Sequence, residues 1–181
     1  MVRIIRVCGV VALLGLFFTA TSGAQVSRAR RPDVRFLATP QNVVEAMLQL
    51  AEVTPADVVY DLGSGDGRIP ITAARMFGAR GVGIELDPGL VAQAESSAKR
   101  AGVDGAVRFV VGDLFQADLR DATVVAIFLL PGMNIELIPK FRAQLRSGSR
   151  IVSHHFAMGD VWPPDEVRDV NGLEIYLWRV P

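Results

Sequence analysis

The chain has 181 residues, half of them hydrophobic and 21% charged, and its 19 basic and 19 acidic side chains give a formal net charge of zero. That length and composition describe one globular domain with a sizeable core and exclude a disordered chain. Lys and Arg are scattered, so nothing marks a nucleic-acid groove, and the one loose cluster, "RARRPDVR" at 28–35, reads as a solvated linker rather than a phosphate contact.

The N-terminus is a separate object. Arg3 and Arg6 precede an uncharged stretch whose apolar core runs from Val7 to about Ala20, and Ser22 and Ala24 then stand at the spacing of a cleavage exit. This pattern predicts a secretory signal peptide over 1–24, with an uncleaved membrane anchor as the alternative. Export or attachment to the cell envelope is the expected location; the cytoplasmic face of a membrane is the alternative. The only cysteine, Cys8, lies inside this segment, so no thiol chemistry is expected beyond it. Residues 25–35 read as a linker and 36–181 as the domain.

From Thr39 the periodicities alternate. "TPQNVVEAMLQLAEV" predicts a helix with Thr39 as N-cap and Pro40 in its first turn, its apolar face carried by Val43, Val44, Met47, Leu48 and Ala51. "ADVVYDL" reads as a buried strand, and "GRIPITAARMFG" as a helix that tolerates Pro70 in its opening turn and stops at Gly78. "ARGVGIEL" is a second strand; "DPGLVAQAESSAKRAG" is a helix from an Asp-Pro cap to Gly102. "AVRFVVGDL" and "ATVVAIFLL" are the third and fourth strands. "NIELIPKFRAQL" reads as a helix with Pro139 near its start, "SRIVSHHF" as a fifth strand, and "DEVRDVNGLEIYLWRV" as a hairpin turned by Asn171-Gly172.

Apolar strands alternating with helices imply a parallel sheet covered on both faces, closed by an antiparallel strand at or near its edge. Ligands in such sheets bind at the carboxyl ends of the strands, where the winding reverses. Three acids fall there: Asp61, Glu85 and Asp113.

The stretch "YDLGSGDGR" at 60–68 follows the first strand. A dinucleotide fingerprint wants glycines at its first, third and sixth positions, and the sixth is Arg68 counted from Gly63 or Pro70 counted from Gly65. Neither frame fits. An acid before alternate glycines repels a pyrophosphate and suits a ligand whose nearby group is cationic, such as S-adenosylmethionine with its α-ammonium. Glu85 is placed to accept from both ribose hydroxyls and Asp113 from the adenine amine. Singly, each acid also reads as a helix cap, a solvated strand end or a turn residue.

"DLGSGDG", "GVGIELDP" and "VVGDLF" resemble the first three motifs of class I S-adenosylmethionine-dependent methyltransferases. "TPQNVVEAMLQLAEVTPADVVYDLGSGDGRIPITAA", "DATVVAIFLLPGMN" and "SGSRIVSHHFAMGD" further resemble the small archaeal protein-lysine methyltransferases and their bacterial and mitochondrial relatives. The resemblance implies a Rossmann-like α/β class I methyltransferase fold, with a mostly parallel central sheet, helices on both faces and a C-terminal antiparallel hairpin. It implies S-adenosyl-L-methionine as cofactor, with Asp61, Gly63 and Gly65 at its methionine part, Glu85 at the ribose and Asp113 at the adenine. Ser64, Leu86 and Leu114 complete the cofactor set. Thr39 matches a threonine that lies over the cofactor in that family, and equally reads as a plain helix cap.

The resemblance also implies a methyl acceptor, with protein lysine the favoured class and a small molecule, or no catalysis at all, as the alternatives. A lysine must first lose its proton, because its free pKa is near 10.4. The Asn/Asp-Pro-Pro-Tyr motif of enzymes that methylate amides or adenine amines is absent from "LLPGMN", the segment after the fourth strand. Asn134 is the candidate for positioning the acceptor, or else a helix N-cap. His154 is the candidate to line the acceptor pocket or shuttle a proton, or else a hydrogen-bonded strand-end histidine. Adjacent His154 and His155 would point to opposite faces of a strand, so no metal site is expected. Trp162, Tyr176 and Trp178 read as core or edge cover.

Overall fold

A computed structural model describes residues 37–181. The expected signal peptide or anchor and the linker therefore lie outside the described residues. Seven strands form one sheet: β1 (Val58–Leu62), β2 (Arg80–Glu85), β3 (Val107–Val111), β4 (Val124–Ile127), β5 (Arg150–His154), β6 (Glu166–Val170) and β7 (Leu173–Arg179). Their spatial order is β3-β2-β1-β4-β5-β7-β6. All pairs from β3 to β5 are parallel; β7 runs antiparallel between β5 and β6. The hairpin turn sits at Asn171 and Gly172, both at positive φ, as the Asn-Gly signal requires.

The period-two alternation of the strands divides the core. Val59, Val124, Ala126, Val152 and Leu177 pack with α1 (Gln41–Leu50) and α2 (Arg68–Phe77). Tyr60, Leu62, Val125, Ile127, Ile151 and Trp178 pack on the other face with α4 (Pro131–Gln144). α3 (Pro88–Ala101) has Asp87 as its N-cap, accepting from the Gly89 amide, and Gly102 in the left-handed region as its stop.

Four expectations are corrected. Thr39 is not the N-cap of α1: Pro40 holds that position, because the Thr39 hydroxyl is engaged with His154 instead. α4 begins at Pro131, not at Asn134, since a proline fits the first helical position and needs no amide partner there. Pro139 consequently lies well inside that helix, and Asn134 is not a cap. β3 is an edge strand whose Val110 and Val111 are exposed rather than buried, because only β2 pairs with it. β5 ends at His154, and His155 leaves it at φ 67, so the two rings do not alternate across a strand.

Candidate functional site

From β1 the chain winds outward through β2 and β3; it then returns to place β4 and β5 on the opposite side. The reversal between β1 and β4 opens a crevice at the carboxyl ends of the strands. A shallow, open recess lies there, lined among others by Thr39, Asp61, Gly63, Ser64, Arg68 and Phe128.

The glycine loop is fastened to β2. The Gly63 and Ser64 amides donate to the Ile84 carbonyl at 2.9 and 3.0 Å, and the Gly65 amide donates to Glu85 Oε2 at 2.8 Å. The Gly67 amide donates to the Ser64 carbonyl, and the Arg68 amide to Asp66 Oδ1. A loop that cradles a pyrophosphate must aim such amides at the ligand. Here they are already taken, and the one cation lining the recess among the described residues, Arg68, is itself paired with Asp66. Gly67 shows why the loop needs glycine: it lies at φ 79, and an added Cβ would come within 2.6 Å of the Phe109 ring and 2.8 Å of Ala94.

Asp61 is buried at the end of β1, and among the described residues no donor reaches its carboxylate. Burial, followed by the charges of Glu85 and Asp66, pushes its pKa up to about 8. An acceptor in that condition fits a ligand that brings its own cation, as an α-ammonium would. Glu85 is half-buried and takes three backbone amides, those of Gly65, Leu86 and Asp87. The Gly112 amide donates to the Glu85 carbonyl, bringing Asp113 and Leu114 alongside. Asp113 Oδ1 accepts from the Phe115 amide, and Leu114 packs on the core beneath.

On the other side of the crevice, Thr39 Oγ1 and His154 Nδ1 lie 3.2 Å apart in a buried hydrogen bond whose direction follows the imidazole tautomer. Among the described residues no partner reaches the buried Nε2 of His154. Burial, then the neighbouring His155, lowers the His154 pKa to about 4, so the ring is uncharged at neutral pH. The Phe128 ring packs against it at 4.2 Å. Asn134 is fully buried away from the recess, its Nδ2 donating to the Phe156 carbonyl at 3.0 Å.

Two features were not anticipated from the sequence. Arg68 is ion-paired with Asp66 at 2.6 Å and donates to the Thr39 carbonyl at 2.8 Å, clamping the segment before α1 over the recess. Phe128, one residue past β4, supplies an aromatic wall; an aromatic ending an apolar strand run was its only signal. Trp178 is core and donates its indole N–H to the Trp162 carbonyl. Among the described residues no cluster of three potential metal ligands occurs.

The family model for the ANTKMT methyltransferase domain matches residues 61–166, from the acid of the loop to the first residue of β6. The chain belongs to that family of S-adenosylmethionine-dependent methyltransferases. A protein-lysine N-methyltransferase of Saccharolobus islandicus is 43% identical over 141 residues, covering 77% of this methyltransferase and 87% of that protein. The adenine nucleotide translocase lysine N-methyltransferase of Mus musculus is 39% identical over 135 residues; the match spans 74% of this chain and 58% of the mouse protein. A crystal structure described as an RNA methyltransferase from Salinibacter ruber in complex with S-adenosyl-L-homocysteine superposes with a TM-score of 0.78 at 54% identity, covering 80% of this chain and 94% of that one. The methyltransferase thus has S-adenosyl-L-methionine as its cofactor and the class I fold that its sequence motifs resemble.

Proposed function

We propose that this methyltransferase acts on lysine side chains of proteins, with Asp61 holding the cofactor's ammonium, Glu85 its ribose and Asp113 its adenine. Gly63, Ser64, Gly65, Leu86 and Leu114 would line the same site, with Thr39 closing it from above. The relatives in Saccharolobus and mouse carry lysine in their names. The observation that carries the reading is the charge of the acceptor side. Residues 128–139 and 155–161, which leave β4 and β5 at the crevice, contain no Lys or Arg but do contain Glu136 and Asp160. Such a border attracts a cationic side chain and repels a phosphate backbone.

The cofactor supplies a methyl group on a sulfonium, open to in-line attack by a neutral amine. What the protein must add is alignment and removal of the amine's proton. Partial desolvation beside Phe128 lowers the acceptor's pKa. The uncharged His154 suits orienting that amine more than storing its proton. Asn134 would act at one remove, by fixing the Phe156 loop.

RNA is the second reading, favoured by the description of the Salinibacter structure. Incubating the full chain with labelled cofactor, a cell-envelope protein extract and total RNA separates the two. Methyl mass on Lys in tryptic peptides is the expected result; label confined to nucleosides or to small molecules would overturn it.

We further propose that the protein is exported or envelope-associated, on the strength of Arg3, Arg6, the apolar run and the small-residue exit. N-terminal sequencing of the fractionated native protein should find a start near Gln25 outside the inner membrane. An intact Met1 in the cytosolic fraction would reject export.

A further inference from the structure

The end of β5 is strained at His155. The Phe156 amide donates to the His154 carbonyl at 2.8 Å across a three-residue turn whose centre, His155, lies at φ 67. This is the rare, costly hand of the γ-turn, and a non-glycine residue held there demands a compensating structure. The compensation is visible. Asn134 Nδ2 and Ser153 Oγ, both on fully buried residues, donate to the one Phe156 carbonyl at 3.0 and 2.7 Å.

The turn sets aromatic rings beside Phe128, the aromatic wall of the recess. Phe156 stacks on the recess-lining Phe128 with ring centroids 6.3 Å apart and planes 19° apart, and His155 meets Phe156 edge-on at 4.6 Å. Phe128 and Phe156 are half-buried and His155 is exposed, so the rings lead from the recess to solvent. The nearest charged group on the neighbouring strand is Glu174, whose carbonyl receives the His155 amide.

We propose that Phe128 and Phe156 form the ledge along which the acceptor lysine enters, and that the left-handed turn at His155, locked by Asn134 and Ser153, sets the ledge's position. This rests on the lysine reading above. The ring faces bind an ammonium and its alkyl stem together, and the acidic border keeps phosphate away. Phe156 is thus a specificity-determining residue, and Asn134 and Ser153 are positioning residues acting through it.

The test is methyl transfer from labelled cofactor to poly-L-lysine, with an RNA transcript in parallel, for the wild type, Phe156→Leu and Phe156→Trp. Loss of a cation–π contact should raise KM for poly-L-lysine by roughly three- to thirtyfold in Phe156→Leu. Phe156→Trp should restore it, with the affinity for S-adenosylhomocysteine unchanged in both. Ser153→Ala should lower kcat/KM for poly-L-lysine and leave cofactor affinity alone. Transfer by the wild type to poly-L-lysine with KM unmoved by Phe156→Leu overturns the ledge and spares the lysine reading. Transfer to RNA alone, or to neither polymer, overturns both. Titrating N-acetyl-lysine methylamide into the protein loaded with S-adenosylhomocysteine gives a readout without turnover: unmoved Phe128 and Phe156 ring resonances also overturn the ledge.

Discussion

Asp61 carries two opposed demands, and they make it the most testable residue in the chain. Its folded pKa is about 8 against 3.8 for the free side chain. A raised pKa means that the proton favours the folded state. That contribution is complete below pH 3.8 and is lost as pH rises to about 8, at no more than about 1.4 kcal/mol per pH unit. His154, whose pKa is lowered to about 4, works the other way: its contribution is present above pH 6.5 and lost as pH falls towards 4. Between pH 6.5 and 8 the Asp61 slope therefore stands alone of the two. Ligand-free protein should melt lower at pH 8 than at 6.5, and Asp61→Asn should flatten that difference in a thermal scan. The same substitution should cost at least about tenfold in cofactor affinity by calorimetry, because a charge-assisted hydrogen bond is lost. A flat wild-type profile would show that the carboxylate is ionised before the ligand arrives. Gly67→Ala is the steric counterpart. The left-handed φ and the collision with Phe109 and Ala94 should together cost about 2–4 kcal/mol in a denaturant titration.

At the scale of elements, the base of the sheet is held by a polar hub at the opposite end from the site. Asp57 accepts from the Thr54 amide and hydroxyl, from Thr123 Oγ1 and from Arg150, joining the starts of β1, β4 and β5. Burial alone would raise the Asp57 pKa, but hydrogen bonds from Thr123, Thr54 and Arg150 outweigh it and hold it below the ordinary value. Its contribution is present above pH 3.8 and lost as pH falls through that lowered pKa. Asp57→Ala should cost about 2–4 kcal/mol, the partial exposure of Arg150 trimming the full penalty of a broken buried pair; urea unfolding at pH 7 measures it. The elements themselves were largely legible, because Gly78, Gly102, the Asp87 cap and the Asn171-Gly172 turn each act through local backbone chemistry. Where the reading failed, a distant partner had captured a local signal. Thr39 has the chemistry of a cap and gives its hydroxyl to His154, 115 residues away. Asn134 likewise gives its amide to Phe156 and leaves the cap of α4 to Leu130. Phe128 acquires its meaning only when β4 is set beside β1.

For the whole molecule, the three strand-end acids were readable in the sequence because the doubly wound topology sends every parallel strand's end to one rim. The acceptor side was less readable, since it depends on how β5 leaves the sheet. The intact protein should respond to ligands as one cooperative unit. S-adenosylhomocysteine at a hundred times its dissociation constant should add about 2.7 kcal/mol of stability, a rise of about 5–10 °C in melting temperature for a domain of this size. NAD at the same concentration should add nothing; a comparable rise with NAD would contradict the spent amides of the glycine loop.

Those amides also set a clock. Because Gly63, Ser64 and Gly65 hang from Ile84 and Glu85, the loop belongs to the sheet's hydrogen-bonded fabric rather than to its mobile fringe. Its protons should then exchange with deuterated water as slowly as those of β2 itself, before any ligand is added. Little ordering entropy is left to lose on binding, so the cofactor should gain affinity through slow departure from a site already shaped for it.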